Sequence, residues 1–169
     1  MRLQTKRLLL RPRTVADMDD CYHLDTQPGV LDYVQGPWHD PEAHRAFIHQ
    51  RTVQNYGDGL GYWVVSLASY PEQFLGWVLV IPVDAVGPDI EIGWRLLPQS
   101  WGKGIATEAA QRVLKHAFQT LGLKGVIADI HPDNQRSRAV ASKIGMISTQ
   151  QQSEGYERFA IDHSQFFSQ

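Results

Sequence analysis

The sequence holds one cysteine, Cys21, and no apolar run longer than Trp77 to Ile81, which Pro82 stops. A single thiol excludes an intrachain disulfide framework and a thiolate zinc cluster, and it fits a reducing compartment, so a cytoplasmic protein is expected. The apolar run is far below the ~18 residues of a membrane span, so no membrane partner is expected. Leu8, Leu9 and Leu10 after Arg2, Lys6 and Arg7 are too few for a secretory signal. An excess of positive charge is also missing: 16 Lys and Arg against 18 Asp and Glu give a net charge of −2. No global field holds a phosphate backbone, and no nucleic-acid partner is expected. The histidines are scattered. His44 and His49 fall in one helix but about 140° apart around its axis, so they cannot share a metal, and no metal site is expected. There is no internal repeat, low-complexity tract or linker. What remains is a chain of 169 residues, 43% of them hydrophobic. That suffices for one core and is too short for two ordinary ones, so a single domain over 1–169 is expected.

Basic and apolar positions alternate from Leu8 to Arg13, predicting a first strand with Arg7, Arg11 and Arg13 along a solvated edge. Thr14 with Asp17 resembles a capping box and predicts a helix over Val15 to Asp25. Gln27 to Pro37 has no period and reads as a short helix or a loop. Asp40-Pro41 starts a second helix, closed by Gly57. Tyr62–Leu67, Phe74–Val83 and Asp89–Leu97 are rich in Val, Ile, Trp and Leu and are separated by turn signals, so they predict an antiparallel meander. Lys103 to Leu121 pairs apolar residues every four positions, as a long helix with one broad buried face does. Val126 to Ile130 is a short strand, and strand, helix, strand implies a parallel crossover. A last helix opens at Asn134 and stops at Gly145 with Met146 packing back. A closing strand follows at Tyr156 to Ile161, and the tail from Asp162 reads as frayed.

The richest passage runs Ile90-Glu91-Ile92-Gly93-Trp94-Arg95-Leu96-Leu97-Pro98-Gln99-Ser100-Trp101-Gly102-Lys103-Gly104-Ile105-Ala106-Thr107. Its glycines straddle a helix start, where first-turn N–H groups lack internal partners and suit a phosphate. Lys103 adds a cation. This is not a Walker loop, because Lys103 is followed by Gly104. Nor is it a dinucleotide fingerprint, because Thr107 stands where a third small residue is needed, after antiparallel strands.

Gln99-x-x-Gly102-x-Gly104 resembles the pyrophosphate signature of the GNAT superfamily of acetyl-CoA-dependent N-acetyltransferases. Trp101 to Ala109 is similar to its ribosomal-protein N-terminal acetyltransferase branch, as are Thr5-Lys6-Arg7-Leu8-x-Leu10-Arg11-Pro12 and Asn134-x-x-Ser137 through Lys143-Ile144-Gly145-Met146. The resemblance covers nearly the whole chain. It implies an α/β fold of GNAT type, with a mixed, mostly antiparallel sheet of six or seven strands and about four helices. It implies acetyl-CoA as cosubstrate, its pantetheine arm between the strands of Glu91 to Leu97 and Val126 to Ile130, near Leu96 and Leu97. The pyrophosphate falls on the N–H groups of about Trp101, Gly102, Lys103, Gly104, Ile105 and Ala106, with Gln99, Thr107, Asn134 and Ser137 also binding the coenzyme. The acceptor is an amine-bearing small molecule or a protein N-terminus, and a homodimer is left open.

Acetyl transfer by direct attack needs a neutral amine, a donor for the developing oxyanion and a proton for the thiolate. A lysine amine of pKa about 10.4 is roughly 0.1% neutral near pH 7.4, whereas an α-amine of pKa about 7.8 loses under about 1 kcal/mol. Glu91 is the candidate base, its alternative being a strand residue facing solvent. Asn134 and Ser137 are the other candidate catalytic residues, their alternative being an N-cap and a surface serine. Many relatives carry a tyrosine acid where Ala141 stands, which leaves Ser137, or more distantly Tyr156, as proton donor. It also keeps open a catalytically inactive acyl-CoA-binding sensor or assembly module. Cys21 reads as distant from the cleft. Tyr33, Trp38, Tyr62 and Trp63 read as core or cleft wall.

Overall fold

The computed structural model describes residues 1–169. Its strands are β1 (Leu3–Gln4), β2 (Leu8–Pro12), β3 (Gly61–Leu67), β4 (Gly76–Pro82), β5 (Ile90–Leu96), β6 (Gly125–Ile130), β7 (Ile147–Ser153) and β8 (Tyr156–Asp162). They form one sheet in the order β1-β2-β3-β4-β5-β6-β8-β7. The helices are α1 (Met18–Thr26), α2 (Pro41–Val53), α3 (Ile105–Lys115), α4 (Gln135–Lys143) and α5 (His163–Phe167). All neighbouring strands are antiparallel except β5 and β6, which α3 joins in parallel. No helix is long and apolar enough to cross a membrane.

The β4 run is apolar throughout because both of its faces are covered. Val78 and Val80 point into the larger core, shared with α3, whereas Trp77, Leu79 and Ile81 point into a smaller core with Leu24 of α1 and Ile48 of α2. Alternation along a strand divides the two sets. The same parity operates in β5, where Ile92 and Leu96 join the larger core. Glu91, Gly93 and Arg95 therefore share the α1/α2 side, and the register from Pro82↔Ile90 to Gly76↔Leu96 has no bulge to reverse it. Gly76 holds the end of this ladder. Its φ is +147°, and a Cβ there would lie 2.1 Å from the Arg95 carbonyl oxygen and 2.7 Å from Leu96 Cα. Gly76→Ala must push β5 away from β4, and we expect thermal denaturation to show a loss of several degrees, about 2–4 °C per kcal/mol at this chain length.

The sheet has more strands than the sequence predicts, and the chain has one more helix. β1 spans two residues, too short for a periodic signal. β7, Ile147–Ser153, is a mostly exposed edge strand of Ser, Thr and Gln, where nothing selects apolar residues. The tail is not frayed at its start. Asp162 accepts from the Gln165 amide at 2.7 Å while the Gln165 side chain accepts from the Asp162 amide at 2.9 Å, and Phe166 packs on Phe118 at 5.1 Å. The first helix opens as a 3₁₀ turn over Val15–Asp17. The long helix starts at Ile105 because Gly102 and Gly104 take φ of +73° and +74°, and it ends in a π turn over His116–Thr120. Residues 27–40 form bends and turns between α1 and α2.

Candidate active site

β5 and β6 are paired at one position only, Glu91↔Ile127. Beyond it they diverge and open a cleft of about 580 Å³, with Ile92 to Leu96 on one wall and Ala128 to His131 on the other. The loop into α3 closes one end of the cleft. There the N–H groups of Gly102 through Thr107 have no acceptor among the backbone or side chains of the protein. The Trp101 amide differs from the sequence expectation, since it donates to the Pro98 carbonyl at 3.1 Å in a 3₁₀ turn. Its indole donates to the Leu96 carbonyl at 2.9 Å, and the Arg136 guanidinium lies 3.6 Å from the ring centre.

Arg7 braces this loop from outside. Its guanidinium donates to the Lys103 carbonyl at 3.0 Å and to Glu108 at 2.7 Å, while Thr5 donates to Glu108 at 2.5 Å. The arginines of the opening strand are thus not a solvated row. Arg11 pairs with the buried Asp17 at 2.7 Å, and Arg13 lies flat on Tyr62, 3.6 Å from its ring centre. The partners come from three different places, the loop and first turn of α3 for Arg7, the 3₁₀ turn before α1 for Arg11 and β3 for Arg13.

Trp101, Gly102, Gly104, Ile105, Ala106, Thr107, Leu96, Asn134 and Ser137 all line the cleft. Leu97, Gln99 and Lys103 do not. Leu97 belongs to the smaller core and donates its N–H to the Leu75 carbonyl at 2.9 Å. Gln99 and Lys103 point to solvent. Asn134 caps α4, its side-chain oxygen accepting from the Ser137 amide at 3.2 Å, so its amide nitrogen remains available as a donor. The Ser137 hydroxyl makes no hydrogen bond within the protein, while Ala141 is fully buried in the larger core. Tyr156 also reaches the cleft, and its hydroxyl donates to the Tyr33 carbonyl at 3.2 Å.

Glu91 lies where the cleft meets a second, smaller cavity of about 170 Å³ between β4, β5, α1 and α2. Burial pushes its carboxyl up to about 7; the negative charges of Asp84 and Asp129 act in the same direction, against Arg51 and Arg158. That value suits a general base near neutral pH. Cys21 is closer to this region than the sequence suggests. It lines the smaller cavity, but burial pushes its thiol up to about 11, which keeps it protonated. Tyr33 lines the cleft, Trp38 and Tyr62 line the smaller cavity, and Trp63 is core.

The sequence gives no sign of the ionic cluster behind this cavity. Asp25 of α1 accepts from Arg95 of β5 at 2.8 Å, and its other oxygen lies 2.7 Å from His44 Nε2 of α2. Asp25 and His44 are almost wholly buried. The signal is present only as polar residues on otherwise buried faces, which a periodicity reading treats as surface.

An acetyltransferase (GNAT) domain matches residues 7–147 of the chain. The chain belongs to the GNAT acetyltransferase family. Family membership makes it an acetyl-CoA-dependent N-acetyltransferase by class, and relatives agree. It is 32% identical over 146 residues to the uncharacterized N-acetyltransferase YnaD of Bacillus subtilis, covering 86% of this chain and 82% of that one. It is 31% identical over 154 residues to the FsC-acetyl coenzyme A-N(2)-transacetylase of Aspergillus fumigatus, covering 85% of this chain but only 64% of that longer protein. Among solved structures, an acetyltransferase from Agrobacterium tumefaciens superposes with a TM-score of 0.79 at 28% identity, over 95% of this chain and 94% of that one. A spermidine N-acetyltransferase from Vibrio cholerae, in complex with CoA and spermine, shares the fold, with a TM-score of 0.76 at 18% identity over 96% and 99%.

Proposed function

We propose that residues 1–169 act as one transferase that moves an acetyl group from acetyl-CoA to the primary amine of a small molecule, with Glu91 as base. The observation that carries this reading is the position of Glu91: a carboxyl pushed up to about 7 stands at the last paired residue before the strands part. The free amides of Gly102 to Thr107 suit a diphosphate, because unpaired N–H groups and the positive end of α3 converge on one anion. The diverging walls of β5 and β6 suit a pantetheine arm, which would bring the thioester toward Glu91. The Glu91 carboxylate then takes a proton from the acceptor's ammonium, directly or through water, and the neutral amine so formed attacks the thioester carbonyl. Ser137, the free hydroxyl of the cleft, hydrogen-bonds the departing thiolate and relays to it the proton that the amine nitrogen sheds as the tetrahedral intermediate collapses, and the Asn134 amide nitrogen is a donor for the developing oxyanion.

The test is release of free thiol from acetyl-CoA with a panel of amines. Turnover with at least one amine is expected. Tight CoA binding without turnover of any amine would instead support an acyl-CoA-binding sensor, the reading that Ala141 favours. The loop gives a separate check. Gly104 sits at φ +74° with its Cβ direction toward Arg7 Nη2 at 3.5 Å, so a β-branched side chain there strains the turn and crowds the arginine that braces the loop. We expect Gly104→Val to weaken CoA binding at least about tenfold in calorimetry, the loss of one or more hydrogen bonds to a charged group.

A further inference from the structure

The smaller cavity is lined by three arginines and three carboxylates, but only one of the arginines is paired with a carboxylate. Arg13, Arg51 and Arg95 stand on its wall. Arg95 is satisfied by Asp25, which His44 also engages. Arg13 and Arg51 have no carboxylate within ion-pair distance: the Arg13 guanidinium lies 3.6 Å from the Tyr62 ring centre and donates from Nη1 to Cys21 Sγ at 4.0 Å, and Arg51 lies 4.8 Å from the Phe47 ring centre. The Arg13 Nε is moreover a buried donor without any hydrogen-bond partner. A buried donor is nearly always satisfied, so the Arg13 guanidinium is short of acceptors beside the cavity. The acidic residues that remain, Glu91 and Asp84, line both the cavity and the cleft, whereas Arg13 and Arg51 line the cavity alone. The cavity is therefore polarised, with carboxylates toward the thioester end and free guanidiniums away from it. Its 170 Å³ is below the ~300–1,000 Å³ of sites for drug-sized ligands, so the occupant is small.

We propose that this cavity seats the acceptor and that the acceptor is an amino carboxylate, its amine toward Glu91 and Asp84 and its carboxylate clamped by Arg51 and Arg13. The proposal rests on the acetyl-transfer reading above. Planar guanidiniums recognise a carboxylate by paired N–H donors, which makes Arg13 and Arg51 specificity residues. A polyamine supplies no acceptor for these two guanidiniums and places cations against cations.

The experiment compares amino acids from glycine to 5-aminopentanoate with their primary amides and with spermidine, in wild type, Arg51→Gln and Arg51→Lys. Thiol release gives kcat/KM, and calorimetry on the CoA-loaded protein gives binding. Arg51 leads because the Arg13 stack on Tyr62 makes its variants prone to misfold. At least one amino acid is expected to exceed its amide by about tenfold or more, the difference lying in KM. Arg51→Gln should bring that ratio toward one, and Arg51→Lys should restore part of it. Amides or spermidine used as well as the acids, or a ratio unchanged in Arg51→Gln, would overturn the clamp while leaving acetyl transfer in place. Amino acids that bind in an Arg51-dependent way without any turnover would remove acetyl transfer and leave the clamp. A series that neither binds nor reacts overturns the proposal.

Discussion

Glu91→Gln should lower the rate at pH 7 by about 10²- to 10⁴-fold, the usual contribution of a positioned base. The loss should shrink at pH 9, where more of the amine is already neutral. In the wild type, kcat/KM should rise with pH through about 7, the value to which burial pushes this carboxyl, and that limb should vanish in the variant. An equal loss at both pH values would make Glu91 a structural residue. Stability should move the other way. The folded pKa is raised from the ordinary 4.5 to about 7, so in that window the folded chain binds more protons than the unfolded one. Stability therefore falls as pH rises from about 4.5 to about 7 and stays lower above it. With allowance for solvent screening, ionised Glu91 costs about 2–3 kcal/mol. Glu91→Gln should melt with the wild type at pH 4 and about 5–10 °C above it at pH 8.5, measured by calorimetric scans. A residue that destabilises its own fold when ionised is most simply kept for its chemistry.

Asp25→Ala should give the largest loss of stability in the molecule. It removes the one carboxylate that satisfies both Arg95 and His44, in a cluster where Asp25 and His44 side chains are 3% and 4% exposed. Breaking a buried pair while leaving its partner charged costs about 3–5 kcal/mol. At 169 residues that is a melting temperature lower by about 10 °C or more. The cluster ties α1 and α2 to β5, so the same change should loosen the α1/α2 side of the acceptor cavity. Protection of α1 and α2 amides from hydrogen exchange should fall more than that of the α3 core. A uniform loss of protection, or a change of only a few degrees, would assign the cluster a minor part.

The elements flanking the cleft were legible because their physics is local. The paired apolar residues of α3 and the β-branched runs of β3, β4 and β5 bury whole faces, and the two glycines mark a backbone that no other residue takes easily. The free amides follow from any helix start, so the loop could be read as a phosphate site before the fold was known. The amide of Trp101 could not be separated from them, because a 3₁₀ turn over Pro98–Ser100 leaves no periodic trace. β7 was missed because an exposed polar edge obeys no apolar pattern, and α5 because its capping box lies at the very end of a strand. The acceptor side was illegible for a different reason. Asp25, His44 and Arg95, and likewise Arg13 and Arg51, come from separate elements, and only the packing of α1 and α2 on β4 and β5 brings Asp25, Arg95, Arg13 and Arg51 to one cavity with His44 behind Asp25.

Titration of the ¹⁵N-labelled protein with CoA, followed by amide resonances, tests most directly whether the strand gap and the loop hold the coenzyme. The backbone amides of Gly102 to Thr107 should shift strongly as they take up hydrogen bonds, Ala128 to Ile130 and the Ser137 amide should follow, and the amides of β7 should stay in place. Saturating shifts that leave Gly102 to Thr107 untouched, or no shifts at millimolar CoA, would contradict the account.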